Sequence, residues 1–328
     1  MGCSNSQAIS SNNIDPPQRI TSFSCSFQIE NLHSKNITSL LILVNKQIAT
    51  GSKDGSLYIT SVDISSKTRT CLIQKENIHD NAITSLCEIV EHNYLISASD
   101  DESIKIWELS QNDLLLIKTL LTHTKSIRKL IMFSDKLRFA SCSEDEGIKI
   151  WNNISPFNEI ESLKEDEPVI SILELKHNLN NNILVSCCWG YINLWNIKTY
   201  TKEKTINDVS INSSNGLIEL PNGNISLSDN NSIIIVNPCK ASIIKVIKDD
   251  YLISWGALCL LNEQSFIYVC QGSFVHISAD TFKIMFRSRF DKGDLVGEAG
   301  VCVEEKGKYA VIDNEYGGFG FFEFEYNI

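Results

Sequence analysis

The feature that most constrains the fold is a segment that recurs at intervals of 41 to 47 residues. In its clearest copies, an Asp stands six positions before the end of an alternating apolar segment; these copies are Lys53–Thr60, Asp100–Trp107 and Glu144–Trp151. Weaker copies end at Trp195, Val236, Ile277 and Phe322. Seven units of this length are typical of a repeat architecture in which each unit is one four-stranded sheet.

The segments between these positions read as strands. Short alternating or apolar runs are bounded by Asn, Asp, Gly and Ser, as in Ile37–Val44, Ile83–Ile89 and Ile104–Trp107. Helical periodicity is almost absent. Short runs at such regular spacing predict an all-β fold.

With these repeats the chain resembles the WD-repeat β-propeller family. The resemblance implies a seven-bladed β-propeller of four-stranded antiparallel blades over residues 21–328, preceded by a flexible tail, residues 1–20. It also implies that the N-terminal strand Thr21–Ile29 completes the last blade, beside Tyr309–Ile312 and Phe319–Tyr326, because pairing the two ends removes an open sheet edge. The weaker copies leave six or eight blades open.

Two units carry the family's structural tetrad of His, Ser, Asp and Trp in full. The resemblance assigns it to His79, Ser97, Asp101 and Trp107 in the second unit, and to His123, Ser141, Asp145 and Trp151 in the third. A buried indole N–H needs an acceptor, which the Ser hydroxyl can supply while it links onward to the His and the Asp. We therefore interpret these residues as structural.

Two further units depart from the tetrad. The first keeps His33, Thr50 and Asp54 but has Thr60 in place of Trp. The fourth keeps Trp195, and counting by the spacing of the other units places Val185 at the Ser position and Trp189 at the Asp position. The acidic run Glu165–Glu167 stands near its His position.

The N-terminus carries a modification motif. Met1-Gly2-Cys3-Ser4-Asn5-Ser6 fits the N-myristoylation pattern at Gly2. One myristoyl chain gives only marginal membrane binding, and S-palmitoylation of Cys3 would supply the second signal. The alternative is an ordinary unmodified N-terminus, and the acidity of the chain argues against attraction to anionic lipids.

Charge limits the partners. With 29 Lys and Arg against 40 Asp and Glu, the net charge is −11, which disfavours nucleic-acid binding. The acidic turns of the second and third units predict a surface for basic peptides or basic patches of proteins; their residues are Asp100, Glu102, Glu144 and Glu146. The alternative is a pair of solvated turns. Trp189 is either an exposed binding residue or a side chain packed on the next blade.

The sequence contains no phosphate loop, no G-x-S-x-G and no closely spaced pair of metal ligands. We therefore predict no catalytic residue, metal, cofactor or small-molecule substrate. Eleven scattered Cys without a C-x-x-C indicate the reducing cytoplasm. The favoured function is a non-enzymatic protein-interaction scaffold, tethered at the inner face of a membrane if the tail is acylated. The alternatives are an untethered subunit or substrate adaptor of a larger complex, and a hydrolase working in the central channel.

Overall fold

A computed structural model describes residues 20–63, 65–177, 182–209, 215–229, 231–252, 256–270, 273–289, 301–304, 309–313 and 318–326. Its strands form seven four-stranded antiparallel sheets, so the predicted blade number is confirmed. Blade 1 contains β2 (Ile37–Ile42), β3 (Ile48–Ser52), β4 (Leu57–Asp63) and β5 (Thr68–Lys75). Blade 2 contains β6 (Ile83–Ile89), β7 (Tyr94–Ser99), β8 (Ile104–Leu109) and β9 (Leu114–Leu120), with a 3-10 turn at Val90–His92.

The next four blades repeat this order. Blade 3 contains β10 (Ile127–Met132), β11 (Arg138–Ser143), β12 (Gly147–Asn152) and β13 (Glu159–Lys164). Blade 4 contains β14 (Val169–Leu175), β15 (Ile183–Cys188), β16 (Tyr191–Asn196) and β17 (Thr201–Asn207). Blade 5 contains β18 (Leu217–Glu219), β19 (Ile225–Asp229), β20 (Ser232–Asn237) and β21 (Ser242–Lys248). Blade 6 contains β22 (Ala257–Asn262), β23 (Ser265–Cys270), β24 (Ser273–Ser278) and β25 (Ile284–Arg289).

Blade 7 joins the two ends of the chain. It contains β26 (Val301–Glu304), β27 (Tyr309–Asp313), β28 (Phe319–Tyr326) and β1 (Ile20–Ile29), with β1 as its outermost strand. The strands β1 and β28 run antiparallel, in a register that pairs Ile29 with Phe319. The predicted closure by the N-terminal strand is therefore confirmed.

The blades stack face to face into a ring. The innermost strands contact one another in order from β2 to β26, and β26 contacts β2. Among the described residues, the buried apolar side chains form seven clusters, one between each pair of neighbouring blades. The cluster between blades 7 and 1 contains Ile37, Tyr58, Val311 and Phe321. Because the core lies between sheets, the middle strands are buried on both sides and read as nearly continuous apolar or small residues.

Three glutamates join neighbouring blades near the ends of the innermost strands. Glu88 of blade 2 accepts a hydrogen bond from the Val44 amide of blade 1 at 2.9 Å. Glu174 of blade 4 accepts one from the Ser134 amide of blade 3 at 2.7 Å. In the same way, Glu219 of blade 5 binds the amides of two residues of blade 4, Lys176 and His177. These carboxylates satisfy turn amides that the strand ladders leave unpaired.

The alternating strand direction creates two faces. Connections between blades, and the turns between the second and third strands of a blade, lie on one side, which we call the tetrad face. Turns between the first and second strands, and between the third and fourth, lie on the other side, which we call the opposite face.

Candidate protein-interaction face

The loops of the tetrad face in blade 2 are fixed by a buried hydrogen-bond chain. The indole N–H of Trp107 donates to Ser97 Oγ at 2.9 Å, and Ser97 Oγ lies 2.8 Å from His79 Nε2. His79 Nδ1 lies 2.8 Å from Asp101 Oδ2. An ionised Asp101 accepts the Nδ1–H, so the ring is the tautomer whose Nε2 accepts the Ser97 hydroxyl proton. Every group in the chain is satisfied, which fixes the turn that carries Asp100 and Glu102.

Blade 3 repeats the same chain at nearly the same distances. Trp151 donates to Ser141 at 3.1 Å, Ser141 lies 2.8 Å from His123 Nε2, and His123 Nδ1 lies 2.8 Å from Asp145. Trp151 also stacks on Phe139, with ring centroids 6.0 Å apart.

In blade 1, a Ser hydroxyl lies between the His and the Asp of the hydrogen-bond chain. His33 Nε2 lies 2.8 Å from Thr50 Oγ1, but His33 Nδ1 contacts Ser56 Oγ at 2.6 Å and is 4.0 Å from Asp54. Ser56 in turn donates to Asp54. The aromatic surface that Trp provides elsewhere comes here from Tyr58, whose ring stacks on His33 at 4.3 Å, while Thr60 is buried.

Blade 4 replaces His by a buried carboxylate. Glu165 is fully buried and stands four residues before the first residue of β14, as His79 and His123 stand before β6 and β10. Its carboxylate accepts hydrogen bonds from the indole of Trp195 at 2.8 Å and from Asn193 Nδ2 at 2.5 Å. Lys202 Nζ lies 3.6 Å from the same carboxylate and 5.2 Å from the centroid of the Trp195 ring.

The assignment of Val185 to the Ser position was wrong. Ser186 accepts the Trp195 indole N–H at 3.0 Å and donates to Glu165, whereas Val185 is buried in the apolar core. The physical reason is a turn one residue shorter than in blades 1–3. Four residues separate the paired Cys187 and Ile192, whereas five separate each equivalent pair of blades 1–3. The Ser therefore stands nine positions before the Trp instead of ten.

The same turn presents Trp189. Gly190 has a φ of 89°, and the equivalent left-handed residues of blades 1–3 are Gly55, Glu102 and Glu146, each directly after the tetrad Asp. Trp189 thus occupies the Asp position, and its side chain is 58% exposed, whereas Trp107, Trp151 and Trp195 are buried. The Trp189 side chain is therefore exposed and not packed on the next blade.

Acidic side chains lie along the tetrad face from blade 2 to blade 4. We call Asp100, Glu102, Glu144, Glu146, Asp166 and Glu167 the acidic arc. Glu102, Asp166 and Glu167 are exposed, and the others are half-buried. Arg128 lies 3.6 Å from Glu144 and offsets part of the charge.

Hydrogen bonds join the acidic arc to Trp189. Ser126 links blades 2 and 3, because its hydroxyl donates to Asp100 and its carbonyl accepts the amide of Glu144. The Glu165 amide donates to the Glu146 carbonyl at 2.8 Å. The Asp166 amide then donates to the hydroxyl of Tyr191, two residues beyond Trp189, at 3.1 Å. The arc and the exposed indole therefore form one continuous surface.

A family model described as "WD domain, G-beta repeat" matches residues 70–108 and 115–152. These two segments contain both complete hydrogen-bond chains, and they belong to a ring of seven four-stranded blades. The chain is a seven-bladed β-propeller in which two segments match the WD-repeat model. No curated protein matches the sequence of this propeller.

The remaining sequence predictions concern the acylation sites, metal ligands, membrane-spanning segments and a catalytic site in the central channel. Gly2 and Cys3 lie outside the described residues. Within the ranges that the structure describes, no three His, Cys, Asp or Glu side chains cluster as metal ligands. In the same ranges, no helix is long and apolar enough to cross a membrane. Acidic residues do occur on the innermost strands of the propeller, but Glu88, Glu174 and Glu219 are hydrogen-bonded to neighbouring blades.

Sequence reasoning missed several residues of this face. Glu165 could have been found, because it precedes its blade by the same four residues as His79 and His123. Ser186 could have been found only by aligning Gly190 with the left-handed residues of the other turns. Asn193 and Lys202 carry no such signal.

The buried histidines make the stability of the propeller depend on pH. Burial lowers the pKa of His33 from 6.5 to about 4, and it also lowers the pKa of His79. Burial tends to raise the pKa of Asp101, but hydrogen bonds from His79 and Ser103 outweigh it, and the pKa falls. The carboxylates therefore stay ionised through the range in which the histidines titrate.

We predict that the contribution of these histidines to the free energy of unfolding is fully present above pH 6.5 and is lost as the pH falls toward 4. A histidine whose pKa is lower in the folded state binds its proton more readily when unfolded, so acid favours unfolding. His33 alone accounts for up to about 3 kcal/mol. Urea unfolding at pH 8, 6 and 4.5 measures the loss. The variant His33→Gln keeps a donor and an acceptor but does not titrate, so its loss should be smaller; equal losses would contradict the assignment.

Proposed function

We propose that this protein is a non-enzymatic interaction scaffold that binds a basic peptide or a basic protein patch on its tetrad face. WD40 domains generally bind other proteins. The observation that carries the specific proposal is the continuous surface of the acidic arc and Trp189. An exposed Trp beside carboxylates suits a Lys- or Arg-rich segment, because the indole can contact aliphatic stems and cations while the carboxylates orient the charges.

The rigidity of the surface supports this function. The hydrogen-bond chains of blades 2, 3 and 4 fix the turns that carry the acidic arc before any partner arrives. Pre-organised loops lose little conformational entropy when they bind, which favours affinity. The same loops hold side chains that pair within the protein, so they present a surface without a reaction centre.

We further propose a cytoplasmic location and a tether at the inner face of a membrane through acyl groups on Gly2 and Cys3. The support is the sequence pattern at the N-terminus. A tether would raise the local concentration of the tetrad face near membrane partners. The alternative is a subunit or substrate adaptor of a larger complex without lipid anchoring, which would use the same face.

The proposal is tested by affinity capture from native cells with matched variants. Proteins bound by the wild type should be lost with Trp189→Ala and with the charge reversal Glu102→Lys/Glu167→Lys. For Trp189→Ala, the Kd of a captured partner should rise by about 30-fold or more. Glu108→Lys/Glu203→Lys makes the same charge change at two exposed positions outside the acidic arc and should retain them. If all four proteins capture the same partners equally, the tetrad face is not the binding surface.

The tether has a separate test. Intact mass of the protein from native cells should show a myristoyl group on the wild type and none on Gly2→Ala, and membrane association should fall in parallel. An unmodified N-terminus would remove the tether and leave the tetrad-face proposal intact.

A further inference from the structure

We propose that the opposite face of the ring docks directly on the lipid surface, so that the tetrad face points into the cytoplasm. This inference rests on the proposed tether. It assigns a second interaction surface, and its partner is the apolar–polar boundary of a bilayer.

The opposite face exposes large apolar side chains in blades 1–3. Val44 is 64% exposed, Val90 44%, Leu137 67% and Ile154 51%. The first three lie in turns between first and second strands, and Ile154 lies between β12 and β13. We call these four residues the apolar arc. Turn tips normally carry polar residues, so four apolar tips on one side call for a partner.

Contacts between the turns make the apolar arc continuous. The amide of Val44 is bound by Glu88, two residues before Val90. Lys136, beside Leu137, forms an ion pair with Glu91, beside Val90, at 3.0 Å. The carbonyl of Leu137 accepts the amide of Asn153, beside Ile154, at 3.1 Å.

The charges around the apolar arc are balanced. Glu91 pairs with Lys136, and Asp135 pairs with Arg138 at 2.7 Å, so four of the charged groups are neutralised locally. The acidic arc, by contrast, lies on the tetrad face. Docking by the opposite face therefore holds the acidic arc away from anionic headgroups, which removes the electrostatic objection to a membrane location.

The chain enters the ring on the same side as the apolar arc. The strand β1 leads to the connection that carries His33, which lies on the tetrad face, so its first residue, Ile20, lies at the other end, beside Tyr326. Residues 1–19 attach there. Acyl groups on the tail would thus draw the opposite face toward the bilayer. A weak apolar contact suffices once the tether has made the encounter intramolecular.

The experiment supplies the tether artificially, so that it does not depend on acylation. Full-length protein with an N-terminal His tag is bound to neutral phosphatidylcholine vesicles that contain a nickel-chelating lipid and brominated acyl chains. A Trp introduced by Leu137→Trp should be quenched relative to the wild-type background. Leu121→Trp is the matched control, because Leu121 is 74% exposed in the connection from blade 2 to blade 3, on the tetrad face, and its emission should not change.

A second variant measures the affinity. Val44→Asp/Leu137→Asp/Ile154→Asp should weaken binding of the tail-acylated protein to the same vesicles, without the chelating lipid, by about tenfold or more. Its unfolding transition should match that of the wild type, because all three side chains are exposed.

The outcomes separate the two proposals. Quenching at position 137 with no acyl group on native protein would support the docking face and reject the natural tether. Acylation without quenching at 137, or with equal quenching at 137 and 121, would overturn the docking face. Loss of a protein partner from the triple variant with unchanged vesicle binding would also overturn it, because the apolar arc would then be a protein-binding surface.

Discussion

Replacing Trp151 by Ala is expected to lower the free energy of unfolding by about 3–5 kcal/mol. The side chain is only 2% exposed, it stacks on Phe139, and its indole N–H donates to Ser141. The substitution opens a cavity between blades 2 and 3 and leaves the Ser141–His123–Asp145 chain without its first donor. Urea unfolding at pH 7.5, followed by circular dichroism, measures the loss.

The matched control is Trp189→Ala. This residue stands on the next blade but is mostly exposed, so its removal should change the free energy of unfolding by no more than about 0.5 kcal/mol. Equal losses in the two variants would show that Trp151 and Trp189 do not differ in environment, contrary to the structure.

Replacing Glu165 by Ala is expected to cost about 3–5 kcal/mol, the size of the effect when one partner of a buried charged network is removed. The variant would leave the donors of Trp195, Asn193 and Ser186 without their shared acceptor in a fully buried site. Lys202 would lose its counter-ion as well. The same urea measurement applies.

Glu167→Ala is the control for this prediction. Glu167 is exposed two residues further along the same connection, and its loss should be nearly neutral. Glu165→Gln should fall between the two, because the amide keeps one acceptor oxygen but brings its own donors into the site. A neutral Glu165→Ala would mean that the carboxylate does not replace His in blade 4.

The fold was predictable because the repeat period survives where the tetrad does not. Blades 5, 6 and 7 lack the His and Asp, yet the alternation around Val236, Ile277 and Phe322 was enough to place their third strands. Each blade must bury both sides of its middle strands, so apolar patterning is required in every copy. The tetrad is only one way to satisfy the buried polar groups.

The blade-4 site was less predictable, for reasons of geometry. The turn at Trp189 is one residue shorter, which brings Ser186 one position nearer to Trp195 in the sequence. A prediction that assumes a fixed Ser-to-Trp spacing therefore selects the wrong residue. The exposure of Trp189 depends on where the shortened turn points, which no local pattern encodes. Glu88, Glu174 and Glu219 are isolated acids in apolar strands, and their partners belong to the neighbouring blade.

Selection of peptides from a random display library by the purified protein tests the central claim most directly. That claim is that the acidic arc and Trp189 form a rigid surface for basic segments. We predict that the retained peptides are enriched in Lys and Arg and bind more weakly at high salt. They should be lost with Glu102→Lys/Glu167→Lys but not with the charge-matched Glu108→Lys/Glu203→Lys. Retained peptides without basic residues, or equal binding to the charge-reversed protein, would contradict the claim.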